Sequence, residues 1–170
     1  FGWFAITFAE ASLFYSVLSI RTNILVIRAT ELAFNDDLKD VYFNAALQET
    51  VLATVLISFW LLISGNLGIW QVLIVLTLAV RHWTILNKAY FERSMPYKKL
   101  TVIESGSAIT GHLSALAVVL FGGGVIALII REIVSTVSAL YALFKVGGVT
   151  LRRSRLLSVE EYKTLYYQSR

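Results

Sequence analysis

Ionisable side chains inside long apolar runs are the residues of this sequence that could do chemistry. Glu10 lies near the middle of the first run, Glu49 in the second and Arg81 in the third, and His112 and Arg131 follow in the fourth and fifth. A charge at the centre of a bilayer costs about 2.5–3.5 kcal/mol on insertion scales, so such a side chain usually faces a partner or a water-filled cavity. We predict that Glu10 above all faces the interior of a helix bundle.

Simpler interpretations stay open for several other charges. Glu104 lies one turn from a helix end and can reach water, and Arg81 can extend its charged end towards the interface. Arg131 and Glu132 form either an interhelical pair or contacts with headgroups. Arg21 and Arg28, two turns apart on one face, either line an inner vestibule or bind anionic headgroups.

Small residues recur at helical spacing on two of the runs. Ser12, Ser16 and Ser19 form one stripe, and a second consists of Ser107, Gly111 and Ser114. Such stripes let membrane helices pack closely. They also fit the polar lining of a lumen, and the sequence leaves both possibilities open.

Five elements must position these residues. A spanning helix needs about 20 mostly apolar residues, and apolar runs of that length cover approximately 1–27, 41–64, 67–90, 100–121 and 125–146. They are too continuous for barrel strands, which alternate over about 10 residues. We predict an all-α, polytopic transmembrane bundle of about five helices in residues 1–149. Residues 150–170 should form a basic cytoplasmic linker with a short amphipathic helix that starts at Ser158.

Composition agrees with a membrane protein and excludes several classes of site. Hydrophobic residues make up 57% of the 170 residues and charged ones only 15%, against roughly 45–50% and 25% in soluble domains. There is no cysteine, and the two histidines, His82 and His112, form no metal-ligand motif. No phosphate loop, nucleophile elbow or zinc-protease motif is present. We therefore expect no enzyme activity, catalytic residue, metal or cofactor, and no nucleic-acid partner for the basic residues 152–155, which are more typical of contact with anionic membrane lipids.

Lysine and arginine placement predicts the orientation. The short loops at 64–68 and 121–125 contain neither residue, whereas the connections near 28–40, 88–99 and 150–170 are basic. Basic connections favour the cytoplasmic side, so every connection agrees with one alternating topology. This topology places Phe1 on the outer side, and together with the absence of an initial methionine it suggests a fragment that lacks a preceding helix.

Five stretches of the sequence, residues 1–5, 24–28, 90–100, 122–128 and 157–161, together resemble the O-antigen type of polysaccharide flippase, a family of the multidrug/oligosaccharidyl-lipid/polysaccharide exporter superfamily. Residues 1–5 resemble the start of the second helix of that family, and residues 24–28 the apolar run and arginine that close it. The connector at 90–100, followed by Glu104, resembles the one before the fifth helix. The glycine-rich turn at 122–128 resembles the entrance to the sixth helix, and residues 157–161 the linker to the second half. The chain would then hold helices two to six.

The resemblance implies a fold, a substrate and a set of site residues. The fold would be part of a transporter of roughly 12–14 helices that works by alternating access, with the missing second half of the same chain as a partner. The substrate would be an isoprenoid-diphosphate-linked oligosaccharide, moved from the inner to the outer leaflet of the bacterial cytoplasmic (inner) membrane. Cavity cations would hold the diphosphate, because arginine pairs bidentately with phosphate. The candidates are Arg21, Arg28, Arg81 and Arg131, and the coupling or gating candidates are Glu10, Glu49 and His112.

Two other functions remain open at this point. A cation-coupled drug exporter of the same superfamily would favour acidic residues deep in the bundle, and Glu10 and Glu49 are compatible with it. A non-transporting membrane scaffold would need Glu10 and Arg131 for stability but not for flux.

Overall fold

Seven helices make up the part of the chain that the structure, a computed structural model, describes, namely residues 2–29, 34–94, 97–146 and 152–169. Within those ranges there is no strand, so the all-α prediction is confirmed. The helices are α1 (Gly2–Leu18), α2 (Thr22–Arg28), α3 (Asp36–Ile63), α4 (Ile69–Ser94), α5 (Tyr97–Leu120), α6 (Ile126–Lys145) and α7 (Val159–Ser169).

Four of these helices, α3 to α6, are long and apolar enough to cross a membrane. The pair α1 and α2 also passes that test when taken as one span, with a bend of 47° between its two parts. Large apolar side chains are exposed along all of the long helices. The prediction of a polytopic membrane bundle of about five spans is therefore confirmed.

The first span is bent because its backbone is broken at residues 19–21, where the sequence predicted one uninterrupted run. Arg21 adopts a left-handed conformation with φ of 58°. The N–H of Ile20 donates to Glu49 Oε1 on α3 at 3.1 Å, and the N–H of Arg21 donates to Ser19 Oγ at 3.0 Å. Polar side chains thus satisfy backbone groups that leave the helical ladder, which is the condition for broken helices at membrane depth.

Helix α3 begins about one turn earlier than the apolar pattern predicted. The Asn35 side chain caps it by accepting the N–H of Leu38 at 2.9 Å, and Asp36 and Asp37 occupy the first turn, where negative charge is favourable. Its 28 residues correspond to about 42 Å, well over the ~30 Å hydrocarbon core. The first turns of α3 therefore project beyond the apolar layer.

Two apolar clusters hold the bundle together at its two ends. One unites α1, α3, α4 and α6 around Ile57, Leu61 and Ile129, next to the glycine-containing turns. The other unites α2, α3, α4 and α7 around Val26 and Leu86, at the end that carries the basic connections. We call the first the turn end and the second the basic end.

The segment that follows α6 lies back along α3 at the basic end. Four polar residues at intervals of four on α3 receive residues 152–162: Asp36 and Asp40 bind the Arg152 guanidinium, Asn44 bonds the backbone of Arg153 and Arg155, and Gln48 bonds Arg155 and Tyr162. Leu165 of α7 is buried in the basic-end cluster. This segment is therefore anchored to the bundle by charge pairs, hydrogen bonds and apolar contact.

Helix α7 begins directly after Ser158. Ser158 and Glu161 form a reciprocal cap, since Ser158 Oγ accepts the N–H of Glu161 at 3.2 Å and Glu161 Oε2 accepts the N–H of Ser158 at 2.8 Å. The Arg155 guanidinium, followed by the Ser158 N–H, lowers the pKa of Glu161 to about 2. Ionised Glu161 therefore stabilises the cap above its ordinary pKa of 4.5, and the contribution is lost as the pH falls towards 2.

Helices α5 and α6 pack closely at Gly111. A Cβ at Gly111 would meet Arg131 O and Ser135 Cβ at 2.9 Å each, whereas a Cβ at Gly106 on the same helix would meet nothing within 4 Å. Gly111→Ala is expected to lower the free energy of unfolding by roughly 1–3 kcal/mol, because the helices must move apart. Thermal unfolding of the complete protein in detergent measures this. Gly106→Ala is the matched control and should be neutral or slightly stabilising; equal melting temperatures for both variants would contradict the close packing.

Candidate functional site

Two cavities that contain polar side chains flank α4, and both are lined by residues of helices in the apolar bundle. The larger, about 380 Å³, lies between α4, α5 and α6, and we call it the Glu132 cavity. Its ionisable lining residues are Arg81, Lys88, Glu104, His112, Arg131 and Glu132, and its hydroxyl-bearing ones are Thr84, Ser107, Ser135 and Thr136.

Ion pairs organise the charges of the Glu132 cavity. Glu132 accepts from two arginines: Arg81 Nη1 lies 3.3 Å from its Oε2 and Arg131 Nε lies 3.1 Å from its Oε1. Nearer the basic end, Lys88 Nζ lies 2.7 Å from Glu104 Oε1. Three cations against two carboxylates leave an excess of one positive charge when His112 is neutral. The single carboxylate of Glu132 pairs with two arginines, and each guanidinium carries five N–H groups. Some of these N–H groups therefore remain available to bind an anion that enters the cavity.

The second cavity, about 340 Å³, lies between α1, the break before α2, and α4, and we call it the His82 cavity. Its polar lining residues are Ser12, Tyr15, Ser16, Ser19, Arg21, Asn23, Arg81 and His82. Arg81 and Ile85 line both cavities, so the two meet across one face of α4. The serine stripe Ser12, Ser16 and Ser19 thus faces the His82 cavity, while the small-residue stripe of α5 contributes Ser107 to the Glu132 cavity and Gly111 to helix packing.

The structure brings together four of the seven residues that the sequence singled out. Arg81, Arg131 and His112 line the Glu132 cavity, and Arg21 and Arg81 line the His82 cavity. Arg28 lies exposed at the end of α2, outside the lining of both cavities.

The two acidic candidates occupy different surroundings. Glu10 lies half-buried on α1 and outside the lining of both cavities. Glu49 is buried and binds the backbone at the α1–α2 break, as described above, and its Oε2 has no hydrogen-bond partner among the described residues. Glu49 therefore supports the bend of the first span.

Sequence reasoning did not select Lys88, Glu104, Glu132 or His82 as site residues. The signal that could have found them is a shared helical face. Arg81, Thr84 and Lys88 recur at intervals of three and four on α4, and Glu104, Ala108 and His112 recur at intervals of four on α5. Facing stripes of this kind indicate a polar contact between spanning helices, and we call the lining of the Glu132 cavity the seam. Only the packing of α4 against α6 shows that Glu132 pairs with Arg81.

The chemistry available at this seam is anion binding and proton exchange. Within the described residues no group of three histidine, aspartate or glutamate side chains could hold a metal ion. Hydroxyl groups beside the cations can bond to neutral oxygen-rich ligands. The seam therefore suits a ligand that combines negative charge with many hydroxyl groups.

Comparison with known protein families identifies a relationship over most of the chain. A family model described as polysaccharide biosynthesis protein matches residues 1–163. No curated protein and no solved structure matches the chain.

Proposed function

The chain belongs to the family of polysaccharide biosynthesis proteins, and from that premise we propose that it acts in a flippase for isoprenoid-diphosphate-linked oligosaccharides. Its apolar helices make it a membrane protein of that family. The proposed reaction is movement of the lipid-linked sugar from the inner to the outer leaflet of a bacterial cytoplasmic membrane, with no bond made or broken. In this proposal the basic end faces the cytoplasm.

The observation that carries the proposal is the row of cations along the seam. Lys88 lies within two turns of the basic end of α4, Arg81 near the middle of that helix, and Arg131 within two turns of the turn end of α6. A charge at membrane depth is costly unless it has a partner, so a row of three cations with only two carboxylate partners favours an anionic ligand. A diphosphate could pass from one cation to the next as it crosses the bilayer.

Phosphate chemistry favours this arrangement over simple structural pairing. An arginine presents planar donors that match two phosphate oxygens at once, and a medium of low dielectric constant strengthens the contact. Each arginine already lies beside Glu132, so an arriving diphosphate competes with a carboxylate for donors instead of meeting an unpaired charge. That exchange keeps the ligand from binding too tightly to leave.

The lining hydroxyls support the sugar part of the substrate. Ser12, Ser16 and Ser19 line the His82 cavity, and Ser107, Ser135 and Thr136 line the Glu132 cavity. Small hydroxyl side chains leave room for a bulky polar ligand and can donate and accept hydrogen bonds. A drug exporter for apolar cations would place carboxylates in excess of cations, and here the cations are in excess.

The test is complementation with the complete gene that encodes this chain, in a bacterium lacking its own polysaccharide flippase. Restored surface polysaccharide supports the proposal. Drug resistance without polysaccharide would instead indicate the cation-coupled exporter. If the protein restores neither polysaccharide nor drug resistance, and Glu10→Ala and Arg131→Ala change only its thermal stability, a non-transporting scaffold is indicated.

A further inference from the structure

His82 occupies a fixed position at the wall of the His82 cavity, and nothing above assigns it a role. Its ring stacks on that of Tyr15, with 5.5 Å between the ring centroids. The Tyr15 hydroxyl is held by Thr54 Oγ1 at 2.8 Å and Val75 O at 3.3 Å. Contacts from α1 and α3 therefore fix the plane of the imidazole.

Hydrogen bonding determines which ring nitrogen carries the proton. Thr50 Oγ1 lies 2.7 Å from Ala46 O. A carbonyl oxygen cannot donate, so the Thr50 hydroxyl uses its only proton in this hydrogen bond. The same hydroxyl lies 2.9 Å from His82 Nδ1, so it must accept there, and Nδ1 must bear a hydrogen. Neutral His82 is thus held as the Nδ1–H tautomer, and its Nε2 carries a free lone pair.

The Nε2 atom is accessible to a ligand. It makes no hydrogen bond with any described residue, yet it is not among the buried polar atoms that lack a partner. His82 is only half-buried, and the open space that it lines is the cavity shared with Arg21 and Arg81. A proton acceptor therefore stands beside two cations.

The charges around His82 decide when Nε2 holds a proton. Arg81 on its own helix and Arg21 at the α1–α2 break line the same cavity, and both oppose a further positive charge. On α3, Glu49 adjoins Thr50; its Oε1 accepts the N–H of Ile20 and its Oε2 has no partner among the described residues, so an ionised Glu49 favours the imidazolium. On α6, Glu132 is engaged by the two arginines. Tyr15 of α1 is neutral at physiological pH. An anion in the cavity would reverse this balance and favour the imidazolium.

Resting on the proposed function, we propose that His82 is a proton-linked contact for the substrate diphosphate. Nε2 takes up one proton as the diphosphate passes from the cation row at Arg81, which lines both cavities, into the His82 cavity. The lone pair of Nε2 bonds to a proton from water on the cytoplasmic side and gives a cation that donates to a phosphate oxygen. Departure of the diphosphate returns the proton and restores the lone pair. The site thus binds its anion with two permanent cations and one that forms on demand.

The test measures affinity against pH with the complete protein in detergent. The probe is a short isoprenoid diphosphate that carries one N-acetylglucosamine, because both of its phosphates are substituted and keep their charge throughout the range from pH 6 to pH 8. Affinity should fall as the pH rises, by up to about tenfold per pH unit for one linked proton. Calorimetry in buffers of different ionisation enthalpy should show net proton uptake on binding.

Two substitutions of His82 remove its ability to take up a proton but keep one of its hydrogen-bonding positions. His82→Asn keeps an amide N–H where Nδ1 donates to Thr50, and His82→Gln places an amide N–H near the position of Nε2, but neither side chain titrates. Both variants should lose the pH dependence and the proton uptake. Arg28→Gln, at an exposed position outside the lining of both cavities, should keep the slope.

Each outcome decides the matter. A slope that persists in a folded His82→Asn or His82→Gln variant, or binding by the unaltered protein without proton uptake, would overturn the role of His82 and leave the flippase proposal standing. Absence of probe binding at every pH would overturn both.

Discussion

Arg81→Gln is expected to reduce export of polysaccharide by the complete protein by roughly 10- to 100-fold, the equivalent of one charge-assisted contact of about 1.5–3 kcal/mol. Arg81 lies near the middle of α4 and lines both cavities, so its removal interrupts the row of cations at the point where the cavities meet. Glu132 keeps Arg131 as a partner, and the fold should survive. Surface polysaccharide, measured at equal protein level in the complemented strain, gives the result.

Arg28→Gln is the matched control for Arg81. The sequence predicted that Arg28, like Arg81, is a cavity cation. In the structure Arg28 is exposed at the end of α2, outside both cavities. The control should retain export. Loss of export in both variants, or in Arg28→Gln alone, would contradict the assignment of the diphosphate to the seam.

Glu132→Gln is expected to give the largest loss of stability among single substitutions in the seam. The Glu132 side chain is only 14% exposed and pairs with both Arg81 and Arg131. Neutralising it therefore leaves two neighbouring arginines without their carboxylate partner in the Glu132 cavity. Breaking a fully buried pair costs about 3–5 kcal/mol. Because the Arg81 side chain is 54% exposed, solvent screening reduces the expected loss to about 1–3 kcal/mol, or several degrees in Tm.

Glu104→Gln provides the comparison for Glu132. The Glu104 carboxylate pairs with a single cation, Lys88, and its side chain is 51% exposed. Ion pairs that are this exposed contribute about 0–1 kcal/mol to stability. In detergent, the melting temperature of Glu132→Gln should therefore be well below that of Glu104→Gln. Adding Arg131→Gln to Glu132→Gln should recover part of the loss, since one of the two unpaired charges is removed. No recovery would mean that Glu132 stabilises the bundle by packing alone.

The class of protein could be predicted from the sequence because the physical cause is local. Membrane-spanning helices need long apolar stretches, and such runs are visible without knowing how they pack. The bend in the first span could not be predicted in the same way. It depends on Glu49, a residue of another helix that accepts the N–H of Ile20, and no pattern within residues 1–27 contains that partner.

The site was predictable only in part for the same reason. Arg21, Arg81, Arg131 and His112 attract attention because they are charged or ionisable groups in apolar runs, and they do line cavities. Lys88 was assigned to a connector, because the apolar run alone does not show that α4 continues to Ser94. The tautomer of His82 depends on a hydroxyl whose proton is committed to Ala46 O, a fact that belongs to the packing of α3 against α4.

The location of the lipid-linked oligosaccharide across the membrane tests the central claim most directly. In the strain that lacks its own flippase, the diphosphate-linked sugar accumulates on the inner leaflet, and a membrane-impermeant enzyme or lectin added outside detects none. With the complete gene for this chain, the sugar should become accessible from outside, and with the Arg81→Gln form, expressed to the same level, it should remain inside. A sugar that stays on the inner leaflet in the presence of the unaltered protein, or reaches the outer leaflet equally well with Arg81→Gln, would contradict the account.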